Sequence, residues 1–81
     1  MDEQLKALIV ERLFLEIKPA DIATETPLAE YGVDSFLLQE LIVGIEEQFG
    51  VRFLPEDITA DNLKSVASLR DLIQKKLAES K

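Results

Sequence analysis

Residues Leu28–Phe49, LAEYGVDSFLLQELIVGIEEQF, decide the fold. Leu38, Leu41, Ile42, Ile45 and Phe49 recur at helical spacing, which predicts a second helix from about Ser35 to Phe49, stopped by Gly50. Its opposite face carries Phe36, Leu37, Glu40, Val43, Gly44 and Glu47. That face is more apolar than solvation requires, so a partner is expected to dock there. Just before it, Gly32 is expected to supply a backbone conformation that other residues reach only at a cost.

Upstream, Leu5, Leu8, Ile9, Leu13 and Ile17 predict a first helix over Asp2–Ile17, ended by Lys18-Pro19. Between the two helices lies a long loop, Pro19–Val33, with Ile22, Leu28 and Tyr31 as expected anchors to the core. Downstream, Val51-Arg52-Phe53-Leu54 reads as an extended linker, since a lone strand has no partner to pair with. Pro55-Glu56-Asp57-Ile58 reads as the opening of a short helix, with proline at its first position and acids in its first turn. A last helix starts near Ser65, a suitable N-cap, and continues through Val66, Leu69, Leu72, Ile73 and Leu77, with Lys75 and Lys76 near its negative end. The expected fold is all-α: a four-helix bundle of three longer helices and one short one, forming a single domain over 1–81 with the long loop between helices 1 and 2.

Composition narrows the chemistry. The chain has 81 residues, 47% hydrophobic and 31% charged, which is the make-up of a folded domain near the lower size limit for a stable core. Cysteine and histidine are both absent, so disulfides, thiolate metal sites and the commonest general base are excluded. The N-terminus lacks the basic and apolar regions of a signal peptide, and no apolar run approaches the roughly 20 residues that span a bilayer, so a cytoplasmic protein is expected. The net charge of −7 is localised: Pro19–Val51 holds seven acids and no Lys or Arg, whereas nine acids balance nine bases elsewhere. Such a field disfavours nucleic acid and anionic membranes and steers basic protein partners to the centre of the chain.

The same central stretch resembles the phosphopantetheine-attachment region of acyl and peptidyl carrier proteins. The family pattern is a Gly-x-Asp-Ser-Leu run opening a helix that ends in Glu-Glu-x-Phe. Gly32, Asp34, Ser35, Glu46, Glu47 and Phe49 fall on those positions, and the likeness continues through Phe53-Leu54-Pro55-Glu56 and Asn62-Leu63-Lys64-Ser65-Val66. The resemblance implies that Ser35 receives a 4′-phosphopantetheine arm donated by coenzyme A and that Asp34 is recognised by the phosphopantetheinyl transferase. It also implies that Phe36, Leu37, Glu40, Val43 and Glu47 meet partner enzymes. Those partners would be acyl-transferring, condensing or modifying enzymes with basic docking patches, from fatty-acid, polyketide or related biosynthesis. The carrier itself would be a non-catalytic monomer.

Local chemistry agrees with that implication. A helix start favours an attached phosphodiester, and a serine modified by another enzyme needs no base of its own. Ser35 as a plain N-cap, or Asp34 in that role, remains open at this level. Phe36 replaces the usual Leu, and Leu37 stands where fatty-acid carriers often have an acid, so the docking face is greasier than in that branch. In carriers of lipid cargo the acyl chain folds between the helices. Leu38, Ile42, Ile45, Ile58, Leu63 and Ala67 are the candidates to line such a cavity, with close-packed core as the competing reading. The alternative function is an unmodified acidic helical adaptor that binds partners through the helix 2 face. A calcium loop is disfavoured, because Asp57–Asn62 lacks the ligand alternation and Gly of an EF-hand.

Overall fold

The computed structural model describes residues 1–79. Three α-helices, α1 (Asp2–Leu13), α2 (Ser35–Phe49) and α3 (Val66–Glu79), are joined by segments containing single 3₁₀ turns at Pro19–Asp21, Leu28–Tyr31 and Pro55–Asp57. No strand occurs among the described residues, and Val51–Leu54 is an extended linker as expected. Of the expected fourth, short helix only one 3₁₀ turn forms, Pro55–Asp57. Pro55 opens it, and the Asp57 carboxylate caps its start by accepting the Leu54 N–H at 2.7 Å.

α2 has the predicted bounds because both of its ends are chemically marked. Asp34 caps the start, and Gly50 closes the end in the left-handed region at φ 68°. α1 stops four residues earlier than expected. Phe14 turns left-handed at φ 54°, and the N–H groups of Phe14 and Leu15 both donate to the Val10 carbonyl. A left-handed non-glycine residue costs about 1–2 kcal/mol. The turn leaves Phe14 89% exposed and sends Leu15 and Ile17 back against the core.

α1 packs against both other helices. The core joins Leu5 and Ile9 of α1, Leu41 and Ile45 of α2, and Val66, Leu69 and Ile73 of α3, all fully buried. Each such aliphatic side chain contributes about 1.5–3 kcal/mol by leaving water. The long loop is anchored as predicted: Ile22 and Leu28 are buried, and the Tyr31 hydroxyl accepts the Ala23 N–H at 2.8 Å. Two backbone bonds tie that loop to the approach of α3, from Leu28 N–H to the Lys64 carbonyl (2.8 Å) and from Ala67 N–H to the Thr24 carbonyl (3.0 Å). Ser65 caps α3, its hydroxyl accepting the Ser68 N–H at 3.3 Å.

Candidate functional site

The start of α2 sorts the roles of Asp34 and Ser35. Asp34 has extended backbone, its Oδ1 accepts the Leu37 N–H at 2.9 Å, and its carbonyl accepts the Leu38 N–H at 2.9 Å. Asp34 is therefore the N-cap, and the capping reading of Ser35 falls away. Ser35 is the first helical residue; it is exposed, and its hydroxyl makes no hydrogen bond among the described residues. The positive end of the helix dipole lies beside it. Immediately upstream, Gly32 adopts φ 83°, a left-handed turn that ends the Leu28–Tyr31 segment and directs the chain into α2.

Ser35 also lines a cavity of about 440 Å³. Of the predicted lining, Leu38 and Ile42 from α2, and Ile58 and Leu63 from the segment leading to α3, form its walls. Ile45 and Ala67 do not line it. Ile45 is fully buried in the core, and Ala67 sits where the loop is tied to α3. The remaining wall comes from residues that sequence reading missed: Pro27, Leu28, Ala29 and Val33 of the long loop, Gln39 of α2, and Thr59, Ala60 and Lys64 of the segment leading to α3. Loop residues carry no helical periodicity, so only their apolar character in a loop hinted at this role.

The outer face of α2 is divided. Phe36 is 69% exposed and Val43 46% exposed, and Glu40 makes no ion pair among the described residues. Leu37 is half-buried and packs against the core, so it belongs to the outer face only in part. Gly44, expected on that face, is buried. The Arg12 side chain of α1 lies over it, about 3.4 Å from where a Cβ would stand, and pairs with Glu47 at 2.8 Å. Glu47 is therefore already partnered through Oε1, although its side chain stays 64% exposed. Glu46 is committed as well, accepting the Phe53 N–H at 2.8 Å.

One ion pair braces the segment that walls the cavity. Lys76, expected near the negative end of the last helix, is buried and meets Asp57 at 2.5 Å. The Lys76 ammonium, with the Leu54 N–H, holds the Asp57 carboxyl below the usual carboxylate range, and Asp57 in turn raises Lys76. The Asn62 amide closes the bend by donating to the Asp57 carbonyl at 2.9 Å. Among the described residues no cluster of acids could hold a metal ion, and no helix is long and apolar enough to cross a membrane.

Comparison with known proteins places this layout. The phosphopantetheine attachment site family matches residues 3–75. An acyl carrier protein of Solidesulfovibrio magneticus is 36% identical over 81 residues, covering 95% of this chain and 95% of that protein. The holo acyl carrier protein from Nitrosomonas europaea superposes with a TM-score of 0.83 at 20% identity, covering 95% of each chain. A structure of engineered Bradyrhizobium japonicum glycine:[carrier protein] ligase complexed with carrier protein from Agrobacterium tumefaciens and ATP matches with a TM-score of 0.72 at 28% identity, over 88% of this chain and 97% of that one. The chain belongs to the acyl carrier protein family. Its prosthetic group is phosphopantetheine.

Proposed function

We propose that Ser35 carries the 4′-phosphopantetheine arm. On this reading residues 1–81 form one carrier domain that holds acyl intermediates as thioesters and presents them to enzymes of fatty-acid, polyketide or related biosynthesis in the cytoplasm. The supporting observation is the position of Ser35, an exposed hydroxyl with no hydrogen bond among the described residues, at a capped helix start and on the rim of an apolar cavity. The residues present fit the group. The hydroxyl offers the ester oxygen, the helix start favours the phosphodiester, and the cavity offers apolar walls to what the arm bears. The arm supplies the thiol on which cargo is held.

The chain's own residues position and protect. By taking the capping role, Asp34 leaves the Ser35 hydroxyl free for the transferase, and its outward carboxylate is available for recognition. Without histidine or cysteine the protein cannot activate Ser35 itself, so deprotonation of the hydroxyl falls to the installing enzyme. Leu38, Ile42, Ile58 and Leu63 shelter an acyl chain from water. Phe36 and Val43 give partner enzymes apolar contact, and Glu40 and Glu47 give carboxylates. Exposed ion pairs are worth about 0–1 kcal/mol each, which makes docking quick and reversible. The carrier protein in the ligase complex supports docking by enzymes that load a carrier directly.

The test is incubation of the apo protein with coenzyme A, Mg²⁺ and a broad-specificity phosphopantetheinyl transferase, followed by intact mass. A phosphopantetheine-sized gain that Ser35→Ala abolishes is expected. No gain on folded wild type, beside a carrier that is modified, favours the unmodified adaptor.

A further inference from the structure

In sequence, Ser35 sits in a basic-free stretch, with the acids Glu30, Asp34 and Glu40 as its charged neighbours. Folding changes its surroundings. The segment that follows Pro55–Asp57 returns past the start of α2, and Lys64 becomes the one cation lining the cavity that Ser35 also lines. The Lys64 backbone is fixed there. Its carbonyl holds the Leu28 N–H at 2.8 Å, and its neighbours Leu63 and Ser65 are buried. Its side chain is exposed and makes no ion pair among the described residues, whereas Arg12, Arg70 and Lys76 are all paired. Lys6, Lys18, Arg52 and Lys75 also make no ion pair among the described residues, so what sets Lys64 apart is its place in the lining of the cavity that Ser35 also lines.

We infer that the Lys64 ammonium pairs with the phosphodiester of the arm and tips the arm over the cavity mouth. This rests on Ser35 carrying the arm. A phosphodiester on Ser35 adds negative charge to a surround that already holds three acids. Among the described residues, two positive features border the cavity that Ser35 lines, the α2 N-terminus and Lys64. The helix end fixes the phosphate but sets no direction for the rest of the arm. A cation on the opposite wall does set one. Lysine suits the task because a point charge on a flexible stem follows a phosphate without demanding one geometry. The pair is exposed and therefore weak and screened by salt, so the arm leans toward Ile58 and Leu63 at rest and is released when a partner's basic surface competes for the phosphate.

The experiment uses the full chain in apo and holo forms, as wild type, K64Q, K64R and K75Q. Lys75 is an exposed lysine of α3 outside this cavity, so K75Q controls for net charge. Intact mass first establishes loading. Methyl NMR then reads the apo-to-holo shift changes at Ile58 and Leu63. The expected result is that these changes fall by roughly two-fold or more in K64Q, the scale of an exposed ion pair, and are kept in K64R and K75Q. Fully loaded K64Q with wild-type shift changes overturns the role of Lys64, as does an equal loss in K75Q. A wild type that gains no mass overturns the carrier reading instead, and this one with it.

Discussion

The two halves of α2 look alike in sequence, each mixing aliphatics with acids, and differ in what they face. From Ser35 to Ile42 the helix borders an open cavity, and its acid, Glu40, makes no ion pair among the described residues. From Val43 to Phe49 it closes against α1 and the following linker. Gly44 lies under Arg12, Glu47 is paired with Arg12, and Glu46 holds the Phe53 N–H. Val43 apart, which stays 46% exposed, the second half is held by tertiary bonds that the first half lacks. Under the proposed function, such a helix would present Ser35 and a docking face on a braced scaffold.

That contrast can be tested by substitution. The largest effect is expected from the core side. Ile45→Ala should lose about 2–5 kcal/mol in urea unfolding, because a fully buried side chain leaves a void. Ile42→Ala, three residues earlier on the cavity wall, should lose only about 1 kcal/mol, since the removed atoms already border open space. Equal losses would mean that the cavity is closed in solution.

The Asp57–Lys76 pair should show itself in the pH dependence of stability. Asp57 is held below its ordinary value of about 3.9, so its contribution is full above that value and is lost as pH falls through the lowered one. Lys76 is raised above about 10.4, so its contribution is full below that value and is lost as pH rises through the raised one. Unfolding midpoints across pH should flatten at the acid end in Asp57→Asn and at the alkaline end in Lys76→Gln.

Two smaller effects test the second half. Glu46→Ala removes the acceptor of the Phe53 N–H and should cost about 1–2 kcal/mol, with hydrogen exchange at Phe53 quickened. The Arg12–Glu47 pair is solvent-facing at 37% and 64% exposure, so a double-mutant cycle to alanine should return a coupling of about 0–1 kcal/mol that shrinks in salt. Arg12→Ala alone should tighten binding to a basic partner by freeing Glu47.

Legibility in the sequence followed the chemistry of each boundary. The ends of α2 could be read because Asp34 and Gly50 are marked residue types in marked positions. The end of α1 could not, because a left-handed phenylalanine carries no sequence signal and is imposed by the need to fold Leu15 and Ile17 back. Gly44 was assigned outward since a residue without a side chain leaves no trace in a hydrophobic pattern; the Arg12 crossing decides its side. Leu38, Ile42, Ile58 and Leu63 follow from the family resemblance, but the wall made by Pro27–Ala29 and Val33 depends on where the loop is tied down. The bonds from Glu46 to Phe53, Glu47 to Arg12 and Lys76 to Asp57 are tertiary and have no local signature. The proposal for Ser35 likewise rests on its neighbours, rather than on the serine itself, because they carry the pattern.

The central claim is that Ser35 is the modified residue, and peptide mapping after the transferase reaction tests it most directly. Digestion and tandem mass spectrometry should place the whole phosphopantetheine mass on Ser35. The mass found on Ser65, Ser68 or a threonine, with Ser35 unmodified, would contradict the account.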